Sequence, residues 1–537
     1  MRSLFLTASA AALALVAGAK SSDKVNWQNV TGTSSTAFPT AVGNLGDMLY
    51  AAPPFVAQEN RVNSTSIPNT AIEMRWKPKD ADKDNATSAD IFRNLGAQSP
   101  YHPADDLFPE TNAYQNVPEQ CEIKQVHILH RHGARNPTDG PNEGIGLLGQ
   151  KVRNASKAGK LKATGDLAFL KHWNYSLGEA VLVHQGAKEC FDSGVKMYYD
   201  YGKLMKNLTK HKPVVRTTSQ SRMLDTARYW TLGFFGWDAT DKVNIEVLQK
   251  AKKQNATLEP DETCKNADDD DFNFGKKLTA QYTKTFLPKL HKRLQKSVSG
   301  FNFTEQDAYS MMQLCAYETV TLGYSNFCRV FTKKEWEQLE YSLDLGFQGS
   351  NGFMSPTGKA LGIGWVTEFI DRVTKTKFNH PQTTQNSTLD KNSTYFPLDQ
   401  PLYADFTHDS IITSVLTAFN FTQIGAYLHP TKPDPHRRYR ASRVTPFGAR
   451  VVFEIMDCKG KESSQYIRVK INGAVLPLDE DQGCKKRKDG LCKLHDFISY
   501  QKEHAYKASK FNLACFGKNG TDFTITGPVR NGAPPSK

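Results

Sequence analysis

Three short hydrophobic runs, each ending at a cluster of charged residues, stand out from the polar background of this chain. They lie within residues 122–129, 213–215 and 402–406, and the length and composition of these segments predict three β-strands. Apolar residues at helical spacing follow the third run: Ile411, Ile412, Val415, Leu416 and Phe419. Because open α/β sheets bind ligands at the carboxyl edge of their strands, we expect the three charged clusters to meet at that edge.

The long segment from about 222 to 375 has a helical rather than a strand pattern. Three of its leucines lie on one helix face by their spacing: Leu287, Leu290 and Leu294. Thr304 and Thr332 are each followed by an acidic residue three positions later, which indicates the start of a capped helix. We therefore predict that 222–375 forms a mainly helical domain inserted into an α/β catalytic domain made of 91–221 and 376–517.

Strand character returns in the last third of the chain. Residues 451–453 and 466–471 are largely apolar, and Asn472-Gly473 after them predicts a tight hairpin turn into a short strand at 474–476. These strands assign the C-terminal part of the chain to the sheet domain.

Both ends of the chain differ from the rest. Residues 1–19 combine Arg2, an apolar stretch and a small-residue cleavage pattern, which predicts a secretory signal peptide. Residues 20–90 are rich in Ser, Thr, Asn and Pro and predict an extended arm, and 518–537 form a C-terminal tail. Since no later apolar stretch is long enough for a membrane span, we predict a secreted protein, extracellular or associated with the cell wall.

Composition and charge agree with export. Asn-x-Ser/Thr sites occur along the whole chain and predict N-linked glycans: Asn29, Asn63, Asn85, Asn154, Asn174, Asn207, Asn255, Asn302, Asn386, Asn392, Asn420 and Asn519. The formal net charge is +13, and cleavage of 1–19 removes one of these charges. A basic surface favours an acidic substrate over nucleic acid, because the chain has no zinc-finger, aromatic RNA-binding or basic-helix pattern.

The first charged cluster, Arg-His-Gly-Ala-Arg-Asn-Pro at 131–137, has the clearest chemistry in the chain. His132 lies between Arg131 and Arg135, and nearby cations favour the neutral imidazole, which is a nucleophile. The two guanidinium groups also suit the oxygens of a phosphate group. Two further histidines lie nearby on the same strand, but the arginines would repel a metal cation, so we predict neither a metal nor another cofactor.

These residues identify a family. Arg-His-Gly-x-Arg-x-Pro is the signature of the histidine acid phosphatases, and the chain resembles their secreted fungal members, acid phosphatases and phytases, from about Asn94 to about Gly517. The resemblance implies an α/β fold, namely a mixed sheet domain with helices on both faces plus an inserted smaller helical domain. It also implies a metal-independent enzyme whose substrate enters between the two domains.

The same resemblance implies a role for each catalytic position. His132 would attack phosphorus, while Arg131 and Arg135 would hold phosphate oxygens. His408 would donate a hydrogen bond to a phosphate oxygen. Asp409 would protonate the leaving alkoxide, which requires an acidic working range because a carboxyl group titrates near pH 4. As an alternative or additional role, Asp409 would cap the helix that follows it.

The third phosphate ligand is expected in the second charged cluster, Val-Arg-Thr-Thr-Ser-Gln-Ser-Arg at 215–222. From the residues alone, Arg216 and Arg222 are both candidates. The match to the family's middle arginine segment favours Arg216.

The chain has 9 cysteines, and spacing alone does not pair them. The resemblance implies four disulfides: Cys121–Cys458, Cys264–Cys515, Cys315–Cys328 and Cys484–Cys492. Cys190 is left over, and we interpret it as a buried free thiol.

We therefore expect a secreted, glycosylated acid phosphatase that hydrolyses phosphate monoesters through a phosphohistidine. Phytate (inositol hexakisphosphate) is an expected substrate, and broad acid phosphatase activity is nearly as well supported. One alternative is a phosphoglycerate mutase-like phosphotransferase, although those enzymes usually have Glu where Ala134 stands. The other is a catalytically inactive cell-wall binding protein. No nucleic-acid or membrane partner is expected.

Overall fold

A computed structural model of the chain describes residues 76–81, 86–208, 211–251, 254–381, 383–459 and 464–517. The predicted signal peptide, most of the predicted arm and the C-terminal tail lie outside these residues. The strands are β1 Cys121–Arg131, β2 Lys162–Ala163, β3 Val214–Thr218, β4 Asn244–Leu248, β5 Val298–Ser299, β6 Leu402–Thr407, β7 Arg450–Cys458, β8 Ser464–Ile471, β9 Ala474–Val475 and β10 Cys492–Lys493.

Helices cover much of the remaining described chain. The α-helices are α1 Ala89–Phe92, α2 Gly146–Lys157, α3 His184–Tyr201, α4 Ser221–Phe235, α5 Ala239–Lys242, α6 Phe274–Thr283, α7 Leu287–Gln295, α8 Glu305–Leu322, α9 Lys333–Ser350, α10 Gly358–Thr374, α11 Ser387–Asp390, α12 Asp409–Ala418, α13 Ala441–Val444, α14 Leu494–Ser509 and α15 Phe511–Phe516. Short 3₁₀ segments are Gly96–Gln98, Pro109–Tyr114, Gly165–Lys171, Gly202–Asn207, Pro260–Glu262, Lys265–Ala267, Asn326–Arg329, Thr422–Ile424 and Glu480–Gln482.

The main sheet is mixed, as the resemblance implies. Its strand order is β10-β8-β7-β1-β6-β3-β4, and β9 pairs with β8. Strands β1, β6, β3 and β4 are mutually parallel, whereas β7, β8 and β10 are antiparallel to their neighbours. A second, two-stranded sheet joins β2 to β5. The predicted α/β fold class is confirmed.

The three predicted strands before the charged clusters are β1, β3 and β6, and they are neighbours in the parallel half. In the register of β1 with β6, Arg131 lies opposite Thr407, so both strands end at the same edge. Strands β3 and β6 are buried along their whole length, which is typical of parallel strands covered on both faces. The predicted meeting of the clusters at one sheet edge therefore has a direct structural basis.

The predicted helix starts at Thr304 and Thr332 and the predicted turn at Asn472-Gly473 are also observed. Thr304 and Thr332 both form reciprocal capping boxes with the acidic residue three positions later. Asn472 and Gly473 form the turn between β8 and β9 with φ angles of +48° and +95°, a conformation that asparagine and glycine tolerate best.

The predicted helical insertion at 222–375 does not coincide with the observed elements. Strand β4 lies inside that range, yet it pairs in parallel with β3 in the main sheet. Helix α10, at the other end, packs against α12, which follows β6. We therefore propose narrower limits for the helical insertion, from α6 to α9. No helix of the described residues is long and apolar enough to cross a membrane.

The four disulfides are those implied by the resemblance: Cys121–Cys458, Cys264–Cys515, Cys315–Cys328 and Cys484–Cys492. The first joins β1 to its antiparallel neighbour β7 at directly opposed positions. Cys190 is unpaired and buried, and burial raises the pKa of its thiol to about 12, so it stays protonated.

Candidate active site

The loop that follows β1 is braced by the start of helix α3. A Cβ atom added to Gly133 would lie 2.3 Å from the carbonyl oxygen of Gly186, so the two backbones touch where only glycine fits. The backbone N–H of Ala134 donates to Oε2 of Glu189 on the same helix at 2.8 Å. These contacts fix the path of the chain through His132.

His132 is 1% exposed at the end of β1. Burial is the largest cause of a pKa well below the usual histidine value, and four nearby side chains lower it further: Arg131, Arg135, His408 and Arg222. Nδ1 lies 2.8 Å from the carbonyl oxygen of Gly133, which can only accept a hydrogen bond. Nδ1 therefore carries the proton, and Nε2 keeps its lone pair. The arrangement provides a neutral nucleophile.

Arg131 is anchored on three sides. Its Nη1 donates to the carbonyl oxygens of Ala97 and Thr445, and its guanidinium lies 4.6 Å from the centre of the Phe447 ring. Its Nη2 lies 2.6 Å from Oδ2 of Asp409. Burial lowers the pKa of Arg131 to about 10, while Asp409 acts in the opposite direction, so the side chain is cationic at acidic and neutral pH.

Two further arginines lie near His132, and they have fewer anchoring contacts than Arg131. Arg135 is half-buried, donates to the Asn136 carbonyl oxygen at 2.8 Å and lies 5.9 Å from the Tyr317 ring centre. Arg222, at the start of α4, has its pKa lowered to about 10 by burial and by the charge of Arg135. The mutual repulsion of these cations indicates that they converge on a common space suited to an anion.

His408 and Asp409 lie where β6 passes into α12. The His408 ring is 5.4 Å from the His132 ring, edge to face, and its Nε2 is 2.8 Å from Oε2 of Glu259. Asp409 is the first residue of α12, and its Oδ1 accepts the N–H of Ser410 at 2.8 Å. Burial acts to raise the pKa of Asp409, but the charge of Arg131 and the other nearby cations outweigh it and leave the pKa below its usual value.

The structure does not bring Arg216 into this group, and the expectation that it is the third phosphate ligand requires correction. Arg216 is 2% exposed, and its guanidinium is held by Asp405 at 2.8 Å and by Glu368 at 2.6 Å. These carboxylates raise its pKa well above the usual value in spite of burial. Along β3 the side chain of Arg216 serves a buried ion-pair cluster, whereas Arg222 lies beyond the strand end and acts on His132.

The other two histidines of β1 have separate surroundings. Nε2 of His130 is 2.8 Å from the Ser193 hydroxyl, and His127 stacks on Tyr403 with ring centres 4.8 Å apart. Within the described residues, no three His, Cys, Asp or Glu side chains are grouped so that they could hold a metal ion.

Sequence reasoning missed Glu259 and Glu189 at this site. Glu259 lies in the loop after β4, and that short strand was not predicted. If a strand at 244–248 had been predicted next to β3 and parallel to it, the loop after it would have been expected at the carboxyl edge of the sheet. Glu189 lies inside helix α3 and carries no local signal for its contact with the nucleophile loop.

Comparisons with known proteins agree with this geometry. The model of the histidine phosphatase superfamily (branch 2) matches residues 122–472. A Phytase A from Aspergillus oryzae is 32% identical over 418 residues, 75% of this chain and 86% of that protein, and a Phytase A from Emericella nidulans is 33% identical over 420 residues, with the same coverage. The crystal structure of the phytase from D. castellii matches with a TM-score of 0.65 and 25% identity, over 80% of this chain and 88% of that chain. The chain belongs to the histidine phosphatase superfamily, branch 2.

Proposed function

We propose that this phosphoric monoester hydrolase acts on phytate and on simpler phosphate monoesters through a phosphohistidine at His132. The observation that carries the proposal is a buried, neutral His132 whose Nε2 retains its lone pair, with Arg131, Arg135 and Arg222 around it. An uncharged nucleophile and an excess of positive charge around it are the two requirements for attack on an anionic phosphoryl group.

In the first step, Nε2 of His132 forms a bond to phosphorus as the bond from phosphorus to the ester oxygen breaks. Asp409 gives its proton to that oxygen, so an alcohol leaves. In the second step, water attacks the phosphohistidine and returns a proton to Asp409. The phosphorus–nitrogen bond breaks, and inorganic phosphate and the free imidazole are restored.

Arg131, Arg135 and Arg222 hold the non-bridging oxygens in this proposal. Arg222 replaces Arg216 as the third ligand, because the guanidinium of Arg216 is already bonded to two carboxylates. A guanidinium without a strong carboxylate partner is available to a phosphate oxygen and stabilises charge that develops in the transition state.

Asp409 changes partner during the cycle. Without substrate it is paired with Arg131 at 2.6 Å, which favours the ionised carboxylate. When phosphate oxygens bind Arg131, they compete for this guanidinium and bring negative charge close to Asp409. Both effects favour the protonated carboxyl group, so substrate binding itself prepares the general acid.

Phytate as substrate is supported by the names of the relatives, Phytase A from two fungi and a phytase of known structure. The formal net charge of +13 fits an anionic substrate. General acid phosphatase activity on simple esters would use the same residues.

We also propose that the protein is secreted and glycosylated. The evidence is the signal-peptide pattern at 1–19 together with the Asn-x-Ser/Thr sites. Among the asparagines whose side chains the structure describes, four are exposed, and we expect these to carry glycans: Asn154, Asn174, Asn302 and Asn392.

The direct test is phosphate release from phytate and from p-nitrophenyl phosphate, measured side by side near pH 5 with a chelator present. Turnover of both substrates supports the proposal, and a phytate kcat/KM far below that of the simple ester would reduce it to a general acid phosphatase. Transfer of the phosphoryl group to an added alcohol in preference to water would favour the mutase-like alternative. Binding of phosphate esters without release would favour the inactive binding protein.

A further inference from the structure

We infer that Glu259 is a positioning residue that holds the His408 ring through Nε2–H, so that Nδ1 is left to donate to a substrate phosphate. The inference rests on the proposed function, since it concerns how the second histidine of the same site is prepared.

The contact between the two side chains is direct and buried. Oε2 of Glu259 lies 2.8 Å from Nε2 of His408, and the two residues are 3% and 8% exposed. Thr407, the neighbour of His408, donates through its hydroxyl to the Leu258 carbonyl oxygen at 2.8 Å. The loop that carries Glu259 is therefore attached to the end of β6 at two consecutive positions.

This contact decides which ring nitrogen remains for substrate. Because Nε2–H donates to Glu259, only Nδ1 can reach a phosphate oxygen. In a singly protonated ring Nδ1 would then be an acceptor and would repel that oxygen. Donation from Nδ1 requires the imidazolium form, and a carboxylate at hydrogen-bond distance is the group that favours it.

Glu259 is itself held ionised over the acidic range. Burial acts to raise its pKa, but the charge and hydrogen bond of His408 and the hydrogen bond of Lys250 outweigh it, and the pKa falls to about 2. Lys250 donates from Nζ to Oε1 at 2.6 Å, so both carboxylate oxygens are used. Lys250 therefore fixes the position of Glu259. Its positive charge also offsets part of the negative charge that Glu259 presents to His408.

The other titratable or charged groups facing this pair come from four elements. They are Asp261 and Glu262 beside Lys250, Arg222 from α4, His132 after β1 and Asp409 at the start of α12. Of the carboxylates in this set, Asp261 matches Glu259 most closely, since its charge also acts on His408 from the same loop. Its carboxylate lies 3.8 Å from Nζ of Lys250. Asp261 therefore serves as a control for a nearby carboxylate that has no hydrogen bond to His408.

The experiment compares Glu259→Gln with Asp261→Asn through the pH dependence of kcat/KM on p-nitrophenyl phosphate. Glutamine keeps an acceptor for Nε2–H and removes the negative charge, so the ring keeps its place without the neighbouring carboxylate that favours an imidazolium. We expect the alkaline limb of the profile to move down by about one pH unit, with a loss of about tenfold at pH 7 and less than about threefold at pH 4.5. Asp261→Asn should leave the limb within about 0.3 unit.

Two further variants keep the inference testable if Glu259→Gln folds poorly, which circular dichroism would show. Glu259→Asp retains the carboxylate and should restore most of the wild-type profile. Lys250→Met removes the competing cation and should move the alkaline limb upward, opposite to Glu259→Gln. An unchanged profile in both Glu259→Gln and Lys250→Met would overturn the inference, while absence of phosphate release by the wild-type protein would overturn the proposed function instead.

Discussion

Two groups of arginines lie next to the parallel half of the main sheet, and they differ in how their charges are balanced. In the lower cluster, Arg216 and Arg372 both bond to Asp405, and Arg216 also bonds to Glu368. In the upper cluster, at the nucleophile, Arg131 has Asp409, but no ion pair of the described residues involves Arg135 or Arg222.

This difference in charge balance distinguishes a structural arginine from a functional one, which the residue type alone does not do. Two cations matched by two carboxylates need no ligand, and aromatic rings complete the packing: Phe396 lies 5.4 Å from the Arg216 guanidinium and 4.7 Å from that of Arg372. A surplus of cations around a neutral histidine creates a positive potential that attracts an anion. Arginines whose charges are matched by carboxylates indicate a structural ion-pair cluster, and arginines in excess of carboxylates indicate an anion-binding site.

The largest effect is expected from His132→Ala. It should lower kcat by at least about 10⁴-fold, because the nucleophile is lost while the arginines remain. Secretion and the unfolding midpoint should change little. Phosphate release from p-nitrophenyl phosphate measures this, and circular dichroism checks that the variant is folded. Activity within tenfold of wild type would remove His132 from the mechanism.

The lower cluster is tested by Arg216→Met, which leaves the buried Glu368 without its cation and Asp405 with Arg372 alone. We expect a loss of about 3–5 kcal/mol in the free energy of unfolding, measured by urea titration at pH 5. The activity per folded molecule should stay within a few-fold of wild type. A stable variant with strongly reduced kcat would show that Arg216 belongs to the upper cluster after all.

Arg222→Met is the matched change in the upper cluster and should show the opposite pattern. Loss of one phosphate ligand should reduce kcat/KM by about 10²–10³-fold, since the developing charge loses a donor. The free energy of unfolding should change by less than about 1 kcal/mol, because no ion pair is broken. The comparison fails if both arginine variants lose activity, or both lose stability, to the same extent.

Asp409→Asn tests the carboxylate that serves both structure and chemistry in the upper cluster. Turnover of glycerol phosphate should fall by about 10²-fold or more, because an unactivated alkoxide needs a proton to leave. p-Nitrophenyl phosphate, whose leaving group needs little protonation, should lose only a few-fold. Equal losses on the two esters would exclude Asp409 as the general acid.

The smallest effect concerns the pH dependence of the lower cluster. Burial and Glu368 raise the pKa of Glu246 to about 7, although Arg216 lowers it, because the two arginines are already neutralised by other carboxylates. The folded state therefore holds this proton more tightly than the unfolded chain does. Its contribution to stability is complete below pH 4.5 and is lost as the pH rises through 7.

We expect about 2 kcal/mol less stability at pH 8 than at pH 5 from this group. Glu246→Gln, which cannot ionise, should flatten that part of the pH profile in urea titrations. Glu119→Gln, an exposed position, should leave it unchanged. If the loss between pH 5 and 8 is the same in Glu246→Gln as in wild type, the buried carboxyl is not its source.

Much of the fold and part of the site follow from local patterns. The runs before His132 and His408 are strands because their mostly apolar ends suit strands that are buried on both faces. The capped starts of α8 and α9 follow from side-chain to backbone hydrogen bonds within four residues.

The errors arose where distant residues decide the outcome. Arg216 and Arg222 are six positions apart, and only the locations of Asp405 and Glu368, far along the chain, show which arginine is already bonded. Glu259 reaches His408 across 149 positions, and the polar loop around it gives no periodic signal.

The contact between Gly133 and Gly186 has a consequence for how the enzyme is inactivated by heat. The nucleophile loop cannot move away from the start of α3 without that helix shifting as well, because the two backbones touch directly. An active-site loop with few contacts often melts before the rest of a protein, so that activity is lost while the core persists. Because this loop is packed against α3, we expect it to unfold together with the central sheet and its helices, so that heating abolishes catalysis only when they come apart.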